Sequence, residues 1–552
     1  YFKSRVHHAN WNESECHECG NVNPEQIFNI VESSVIDEYG QLTDTRKISP
    51  QEWSKFFNEE NVESVDIKAN KEDLPEISFK VPNKLKQFWV FVTRDVLKKL
   101  SDTQYLAINF LEAPLLAFLL AYIIKYFNVD VANQYGYTLS GNSNLPVYIF
   151  MSVIVAIFMG LTVSAEEIIK DRKIQKREAF LNLSWSGYLL SKVFVQFILS
   201  AIQALTFVLI GNSIMEIKGM YFEYWIVLFS AWASANMMGL LISDSFKTVV
   251  TIYILIPFLV IPQIILSGII VKYEKLNPNI SSPKSIPFYG EIITARWAYE
   301  GLATYQFMEN DYQKRYYAKD KLISNSSFKD NFLINELLNK LRYAQKNFDN
   351  PKEQDQISYI LDLVRNEIIK EHNYRVDLGR EEKGIPDVMF KDTDKLRMGS
   401  ADIQTLNNCV TYLKKLKDFY ARLYKFVYNK KSEQKMKEDE EKIAELKRKY
   451  SNETLEEFVT NKNEFQRIVE YNGELIQKID PIYLDPQHKF IKSHFYAPRK
   501  RIGNHFFPTF WVNVAMIWFM TLVLYISLYF KLLKKGLDFL ESFSSRFSRN
   551  SA

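Results

Sequence analysis

Six long apolar segments, separated by polar ones, dominate the pattern of this chain. They cover residues 106–124, 146–163, 189–210, 224–242, 249–271 and 511–530. A helix needs about 20 apolar residues to cross the roughly 30 Å hydrocarbon core of a bilayer. A core helix of a water-soluble domain seldom stays apolar around its whole circumference for that length. The pattern therefore predicts an all-α, polytopic membrane protein with six transmembrane helices.

Basic residues in the short connections predict how these helices are oriented. Lys and Arg cluster before the first segment, between the second and third, and after the sixth, whereas residues 128–145 contain none. Positive charge is concentrated in cytoplasmic loops. We therefore expect a multi-pass protein of the plasma or bacterial inner membrane, with both ends cytoplasmic and residues 272–510 extracytoplasmic.

The large insertion at residues 272–510 has a helical pattern of its own. Apolar residues from Ile403 to Val427 recur at steps of three and four, which predicts an amphipathic helix of about seven turns with Ser400 as its N-cap. A charged run and a second helical pattern over residues 443–450 follow, so a helical hairpin is expected. The pattern favours a packed, mostly helical domain; the alternative is an arm that docks an extracytoplasmic protein partner.

Charge and cysteine content exclude two classes of protein. The chain has 69 Lys and Arg against 65 Asp and Glu, a formal net charge of +4, which argues against a nucleic-acid partner. Three cysteines in 552 residues exclude a disulfide-built scaffold.

Three segments resemble parts of one transporter family. Residues 166–194 (EEIIKDRKIQKREAFLNLSWSGYLLSKVF) resemble a cytoplasmic hairpin with an acid, a basic cluster, a Tyr and a Lys in order. Residues 237–271 resemble a fourth and fifth span, and residues 286–307 a segment that re-enters the outer leaflet. Together with a basic amphipathic helix before the first span, this is similar to the G subfamily (white-type) of ABC exporters, which have ABC-2 (type V exporter) topology. The resemblance covers residues 84–307 and 509–535, and the outer insertion is larger than that of the family.

This resemblance implies a division of the chain into five parts. Residues 1–83 are similar to the C-terminal tail and linker of a cytoplasmic nucleotide-binding domain. The other parts are an amphipathic connecting helix (84–104), transmembrane helices 1–5 (105–271), the extracytoplasmic domain (272–510), and transmembrane helix 6 with a cytoplasmic tail (511–552).

The resemblance also implies a function, namely ATP-driven export of a hydrophobic or amphipathic cargo (lipid, drug-like molecule or peptide) by a dimer. The partner is a second copy or a homologous half-transporter. The chain has no GxxxxGK[ST] phosphate loop, so it is not expected to hydrolyse ATP alone. ATP and magnesium are expected on an upstream nucleotide-binding domain, and the Tyr at residue 1 favours a start that was cut. The alternative is a membrane-anchored scaffold or sensor without transport.

The hairpin and the connecting helix are where the family passes ATPase movement to the membrane. The positions that match its polar relay are Arg94, Glu167, Arg172, Arg177, Tyr188 and Lys192. Spacing alone predicts an i,i+4 ion pair between Glu166 and Lys170. The alternative interpretation is a solvated charged face whose basic residues set the topology.

Glu112 is the one acidic residue well inside an apolar segment. An acid within the membrane is costly and by default indicates function. Asn109 precedes it by about one helical turn and is a candidate hydrogen-bond partner. Structural pairing and a role in ion coupling or substrate contact both remain open.

The family places the cargo pathway between the second and fifth spans of two protomers. The candidate lining is apolar and aromatic, which suits a hydrophobic cargo; helix packing is the alternative explanation. These residues are Phe150, Ile154, Phe158, Tyr253, Ile254 and Phe258.

A short motif near the beginning has the spacing of half a zinc site. Cys16 and Cys19 form a CxxC pair, with His7 and His8 upstream. Two Cys and two His complete a tetrahedral zinc set. A single CxxC is a weak signal, so the sequence leaves zinc binding and two reduced structural cysteines as alternatives.

Overall fold

The computed structural model describes residues 2, 24–38, 42–59, 82–126, 136–181, 183–381, 385–386 and 388–550. The chain divides into two compact units, Tyr1–Val81 and Pro82–Ala552. In the first unit, helix α1 (Pro24–Glu32) is followed by an antiparallel hairpin of β1 (Ser34–Ile36) and β2 (Leu42–Arg46), then by α2 (Pro50–Glu59). The predicted zinc ligands His7, His8, Cys16 and Cys19 lie outside the described residues.

The second unit begins with the connecting helix and continues as an apolar helix bundle. Asn83 caps the connecting helix, because its side chain accepts a hydrogen bond from Lys86 N at 2.8 Å. The helices in order are α3 (Lys84–Ser101), α4 (Thr103–Ile124), α5 (Leu145–Ser164), α6 (Glu167–Glu178), α7 (Trp185–Met215), α8 (Tyr221–Ser245) and α9 (Val249–Ile265).

The outer domain follows α9 and is mostly helical. Its helices are α10 (Phe288–Glu291), α11 (Thr294–Met308), α12 (Tyr317–Phe328), α13 (Ile334–Lys346), α14 (Gln354–Glu381), α15 (Ile403–Lys437), α16 (Glu440–Tyr450) and α17 (Glu453–Thr460). A π-helical turn, Lys329–Leu333, joins α12 to α13. Two antiparallel hairpins follow: β3 (Ile468–Tyr471) with β4 (Glu474–Gln477), and β5 (Arg499–Ile502) with β6 (His505–Pro508). The chain then returns to the bundle as α18 (Thr509–Tyr529) and ends with α19 (Leu532–Asn550).

Five helices of the described chain are long and apolar enough to cross a membrane, namely α4, α5 with its continuation α6, α7, α8 and α18. α9 is shorter than the pattern predicted, because it ends at Ile265 rather than near residue 271. Gly268 then adopts a φ of +79°, and Tyr273 OH donates to Leu266 O at 2.8 Å. The end of the fifth apolar segment is therefore a turn made of apolar residues.

Two glycines allow α5 and α8 to approach closely. A Cβ at Gly160 would lie 2.7 Å from both Ala235 Cβ and Trp232 O. A Cβ at Gly239 would lie 2.9 Å from Leu161 O. Small residues are the usual means by which membrane helices pack at short distance. α8 is consequently the most enclosed of the apolar helices, with 83% of its membrane-length window buried.

The amphipathic helix predicted in the insertion is present and longer than expected. α15 has 35 residues and continues through most of the charged run that follows the apolar pattern. Its cap is Asp402, whose side chain accepts from Thr405 N at 2.7 Å, and not Ser400. α13, α14 and α15 enclose a hydrophobic core that contains Leu341, Leu361, Leu413 and the free thiol of Cys409.

The loop before α5 is attached to the outer domain. Asn452 Nδ2 donates to the carbonyl oxygens of Leu139 and Asn142, each at 2.7 Å. Ser140 N also donates to Arg448 O at 3.2 Å. The outer domain is therefore bonded to the end of the bundle through this loop as well as through its own two connections.

Candidate coupling site at the charged end of the bundle

Lys192 lies near the start of α7 and is the centre of a buried charge cluster. Its side chain is 3% exposed, and Nζ forms ion pairs with Asp171 at 2.9 Å and Glu167 at 3.2 Å. Asp95 of α3 is a third partner in close contact. Three carboxylates from two other helices therefore meet one lysine of α7.

Two lysines of the connecting helix balance the remaining negative charge. Lys99 pairs with Glu167 and also donates to Tyr105 OH at 3.2 Å, while Lys98 Nζ lies 2.8 Å from Asp171. Asp95 and Lys99 are four residues apart on α3, 3.8 Å between charged atoms. Together with Lys192 this gives three cations and three anions. Such a balance is what permits a buried ionic cluster, since an uncompensated buried charge is strongly destabilising.

Tyr188 and Arg172 extend the cluster in two directions. Tyr188 OH, one turn before Lys192 on α7, donates to Asp171 at 3.1 Å. Arg172 of α6 donates to the carbonyl oxygens of Ser243 and Asp244 at 3.0 and 2.6 Å. Those carbonyls belong to the last turn of α8, where helices leave backbone acceptors without partners. Arg172 therefore ties α6 to the end of α8.

The contact between α6 and α8 is made in both directions. Ser243 Oγ accepts hydrogen bonds from Ile168 N and Ile169 N at 3.1 and 3.0 Å. These amides are in the first turn of α6, so Ser243 acts as its cap from outside the helix. α6 is consequently bonded to α3, α7 and α8.

Five of the six residues proposed for coupling take part in these contacts. Arg94 Nη1 donates to both carboxylate oxygens of Glu178, at 2.9 and 3.0 Å, near the far end of α6. Arg177 is exposed and makes no hydrogen bond or ion pair with another described residue. The predicted pair of Glu166 and Lys170 is present, and Tyr253 OH of α9 donates to Glu166 at 2.7 Å.

The sequence did not single out several members of the cluster. On the connecting helix it did not indicate Asp95, Lys98 and Lys99 as members of the cluster, although the i,i+4 spacing of Asp95 and Lys99 is a usable signal. Asp171 and Ser243 were also missed. Ser243 has no local signal, because its partners lie about 75 residues earlier in the chain.

The predicted pathway residues do not share one environment. Phe150 and Ile154 are buried inside the chain, and the Phe150 ring packs edge-on against Tyr299 at 6.0 Å. The other four are exposed on the surface of the helix bundle: Phe158, Tyr253, Ile254 and Phe258.

Asn109 and Glu112 are not hydrogen-bonded to each other. Asn109 Nδ2 donates to Tyr105 O at 2.9 Å, and its backbone carbonyl accepts from Gln203 Nε2 at 3.0 Å. Their pairing was therefore wrongly predicted, because Asn109 bonds to its own preceding turn and to α7. Glu112 is partly exposed, and within the described residues it has no hydrogen bond or ion pair.

No group of three or more His, Cys, Asp or Glu among the described residues is arranged to hold a metal ion. The charged end of the bundle is an ionic connection between helices.

The apolar bundle defines a multi-pass membrane protein. Residues 86–307 match the family described as "ABC-2 type transporter". This part of the chain, which includes the whole cluster around Lys192, is thus similar to the transmembrane part of an ABC-type transporter. No curated protein matches the chain.

Proposed function

We propose that the chain is the membrane half of an ATP-driven exporter that moves a hydrophobic or amphipathic cargo outward as a dimer. The observation that carries this proposal is the ionic cluster in which Lys192 joins α7 to α3 and α6. The similarity of residues 86–307 to ABC-2 type transporters supports it. Finer assignments, such as the G subfamily and the class of cargo, rest on the sequence resemblance.

The cluster supplies a physical route from an ATPase domain to the membrane helices. A nucleotide-binding domain that carries ATP and magnesium would press on α6, which presents exposed Lys173, Lys176 and Arg177 to a partner. Because α6 is ion-paired to α3 and α7 and bonded to the end of α8, these helices would move with it. Arg177 then acts toward the ATPase domain rather than within the chain.

We propose six crossings, with α9 as the fifth. Its 17 residues extend about 26 Å at 1.5 Å per residue, and the turn after Ile265 adds to that length. Near its start, Tyr253 bonds to Glu166 beside the charged cluster; after its end, Lys272 Nζ donates to Asn461 of the outer domain at 2.6 Å. α9 therefore runs from one end of the bundle to the other.

The exposed part of the predicted pathway belongs on a surface shared with a second copy. Tyr253, Ile254 and Phe258 lie on α9 and Phe158 on α5, with exposures from 43% to 68%. An apolar surface formed twice in a dimer suits a cargo with an apolar body. Phe150 and Ile154 would reach this pathway only if α5 rotated, so we leave them out of the proposed lining.

The experiment compares transport and ATP hydrolysis in vesicles that contain the chain with its nucleotide-binding domain. Lys192→Met should uncouple the two activities, so that hydrolysis continues while ATP-dependent export of a fluorescent lipid falls. Lys218→Met is the matched control, because Lys218 is an exposed lysine on the connection between α7 and α8, away from the cluster. Normal export by folded Lys192→Met protein would contradict the proposed route.

The second candidate function is a membrane-anchored scaffold or sensor. It is favoured by the outer domain, which has its own hydrophobic core and a cavity of about 770 Å³. A purified chain that binds no nucleotide-binding domain and supports no ATP-dependent export would favour this alternative.

A further inference from the structure

A cavity of about 770 Å³ lies within the outer domain, beside α14, the β3–β4 hairpin and the segment that follows Leu484. Its volume is in the range of sites that hold small molecules. Lys329 forms part of the wall and is the first residue of the π-helical turn. Such turns inside helices frequently mark functional positions. The side chain of Lys329 is only 10% exposed, so a cation is buried beside an open volume.

Lys329 is held mainly by aromatic side chains. Nζ donates to Tyr420 OH at 3.1 Å and lies 3.2 Å from the centre of the Tyr374 ring. Glu371 is 3.8 Å away, and it already accepts a bifurcated hydrogen bond from Arg375 Nε, at 3.0 Å to each oxygen, and one from Tyr420. An ammonium has three N–H donors. Among the described residues, Tyr420 accepts one of them and the Tyr374 ring face takes up a second, so one donor remains for a ligand.

The charges closest to Lys329 do not balance. Helix α14 contributes Glu367, Lys370, Glu371 and Arg375, which with Lys329 makes three cations and two carboxylates. Glu367 is engaged by Lys370 at 3.2 Å and by Leu475 N at 2.8 Å. One positive charge of this buried group therefore lacks a counter-charge from its neighbours, an arrangement that proteins seldom retain.

The other charged groups of the wall are paired away from Lys329. Glu474 pairs with Lys284 at 2.6 Å, and Asp485 pairs with Lys321 at 2.6 Å and with Arg499 at 2.7 Å. The remaining titratable residues of the wall are Tyr471, His488, Lys492 and His494, none of which adds negative charge near neutral pH. The missing anion is therefore not supplied by the rest of the lining.

Burial lowers the pKa of Lys329 to about 7, although Glu371 opposes the shift. The amine consequently exchanges its proton near neutral pH when the cavity holds no anion. A bound anion stabilises the charged form and raises this pKa, because opposite charges favour ionisation. Anion binding and proton uptake at Lys329 are thus linked.

We propose that this cavity binds a small anionic ligand, one of whose carboxylate or phosphate-like oxygens accepts a hydrogen bond from the remaining N–H of Lys329. Lys329 lies outside residues 86–307, although part of the wall (278–288) lies within them, and the proposal does not depend on transport. A carboxylate ligand and a phosphate-like ligand share oxyanion chemistry and differ in shape. Acetate, a planar carboxylate, and sulfate, a tetrahedral oxyanion, distinguish them.

The test is calorimetry on the purified full chain, titrated separately with acetate and with sulfate, both of which keep a constant charge above about pH 6. At least one probe should bind with one site per chain. Because Lys329 must be protonated, the affinity should fall about tenfold for each pH unit above the Lys329 pKa of about 7. Absence of binding by both probes would overturn the proposal.

Variants separate the role of Lys329 from general charge. Lys329→Met should lose binding, and Lys414→Gln, which removes an exposed charge from α15, should retain it. Lys329→Arg should bind without the pH dependence, because arginine stays charged throughout this range. If Lys329→Met does not fold, Lys329→Arg decides: the same pH profile as the unmodified protein would show that Lys329 is not the titrating group.

Discussion

Lys500 and Glu300 form an ion pair in the protein interior, with 2.7 Å between Nζ and Oε1 and no more than 1% of either side chain exposed. Lys500 is on β5 and Glu300 on α11. Glu300 also accepts hydrogen bonds from Arg296 at 2.9 Å and from Asn513 of α18 at 3.0 Å. Burial opposes ionisation of Glu300, but Lys500 and Arg296 outweigh it and hold its pKa below the ordinary value. The Glu300 carboxylate therefore joins the β5–β6 hairpin, α11 and α18.

Replacing Lys500 by Met should destabilise the protein, because Glu300 keeps its buried charge and loses a partner. Removing one member of a buried ion pair costs on the order of 3 kcal/mol. The unfolding temperature of the purified protein measures the loss. Lys492→Met is the matched control, since Lys492 is an exposed lysine of the same segment. Adding Glu300→Gln to Lys500→Met should recover part of the stability; equal unfolding temperatures for the two lysine variants would contradict the prediction.

The apolar helices could be located from the sequence, because a run of about 20 apolar residues is a local signal. Every predicted segment contains a helix, and the clear difference is the end of α9. Residues 266–271 are as apolar as the helix before them, so composition does not show that the backbone turns there. Gly268 was the available signal, since a φ of +79° is a conformation that glycine adopts readily.

The side-chain contacts of the bundle could be predicted only in part. Apolar helices such as α5 have no polar face to show which side is inward, so the burial of Phe150 and Ile154 could not be read from the pattern. Lys192 could be selected through the family resemblance. Its partner Asp95 lies 97 residues earlier, and nothing local indicates that pairing. The pairing of Asn109 with Glu112 was wrong for a related reason: Asn109 is hydrogen-bonded to Tyr105 O and to Gln203 instead.

Adding one methyl group to Gly160 should destabilise the bundle. The new Cβ would lie 2.7 Å from Trp232 O, a backbone atom that moves only with α8. Overpacking of this kind costs about 1–3 kcal/mol, which offsets the gain of about 1 kcal/mol from replacing a helical glycine by alanine. Gly160→Ala should therefore unfold at a lower temperature than the unmodified protein. Gly536→Ala is the control in α19, where no atom lies within 4 Å of the added Cβ and stability should not fall.

His494 should make stability depend on pH in a defined direction. Its Nε2 lies 2.9 Å from Pro481 O, which accepts a hydrogen bond from the neutral ring, and burial lowers the pKa of His494 to about 4. Between about pH 6.5 and about pH 4 the unfolded chain binds a proton that the folded protein does not, so stability falls as pH falls. His494→Gln removes this dependence. The unfolding temperatures of the two proteins should converge or cross as the pH falls. Parallel profiles would contradict the prediction, because they would show that His494 binds protons equally in the folded and unfolded states.

The proposed six crossings place α16 and α19 on opposite sides of the membrane. Lys442 on α16 and Ser542 on α19 are both exposed, so either position can carry a reactive cysteine. The background has Cys16 and Cys19 replaced by Ser, while Cys409 is buried and its thiol pKa is raised by burial to about 12, which leaves it unreactive toward maleimides.

A membrane-impermeant maleimide added to intact cells should label Lys442→Cys and spare Ser542→Cys; both should react after permeabilisation. If α9 turned back within the bilayer, the number of crossings would be odd. Since α18 still separates the two positions, their sides would then be exchanged, provided that the residues before α4 are cytoplasmic. Labelling of Ser542→Cys with sparing of Lys442→Cys in intact cells would therefore exclude α9 as a crossing helix, even though its two ends bond to opposite ends of the bundle.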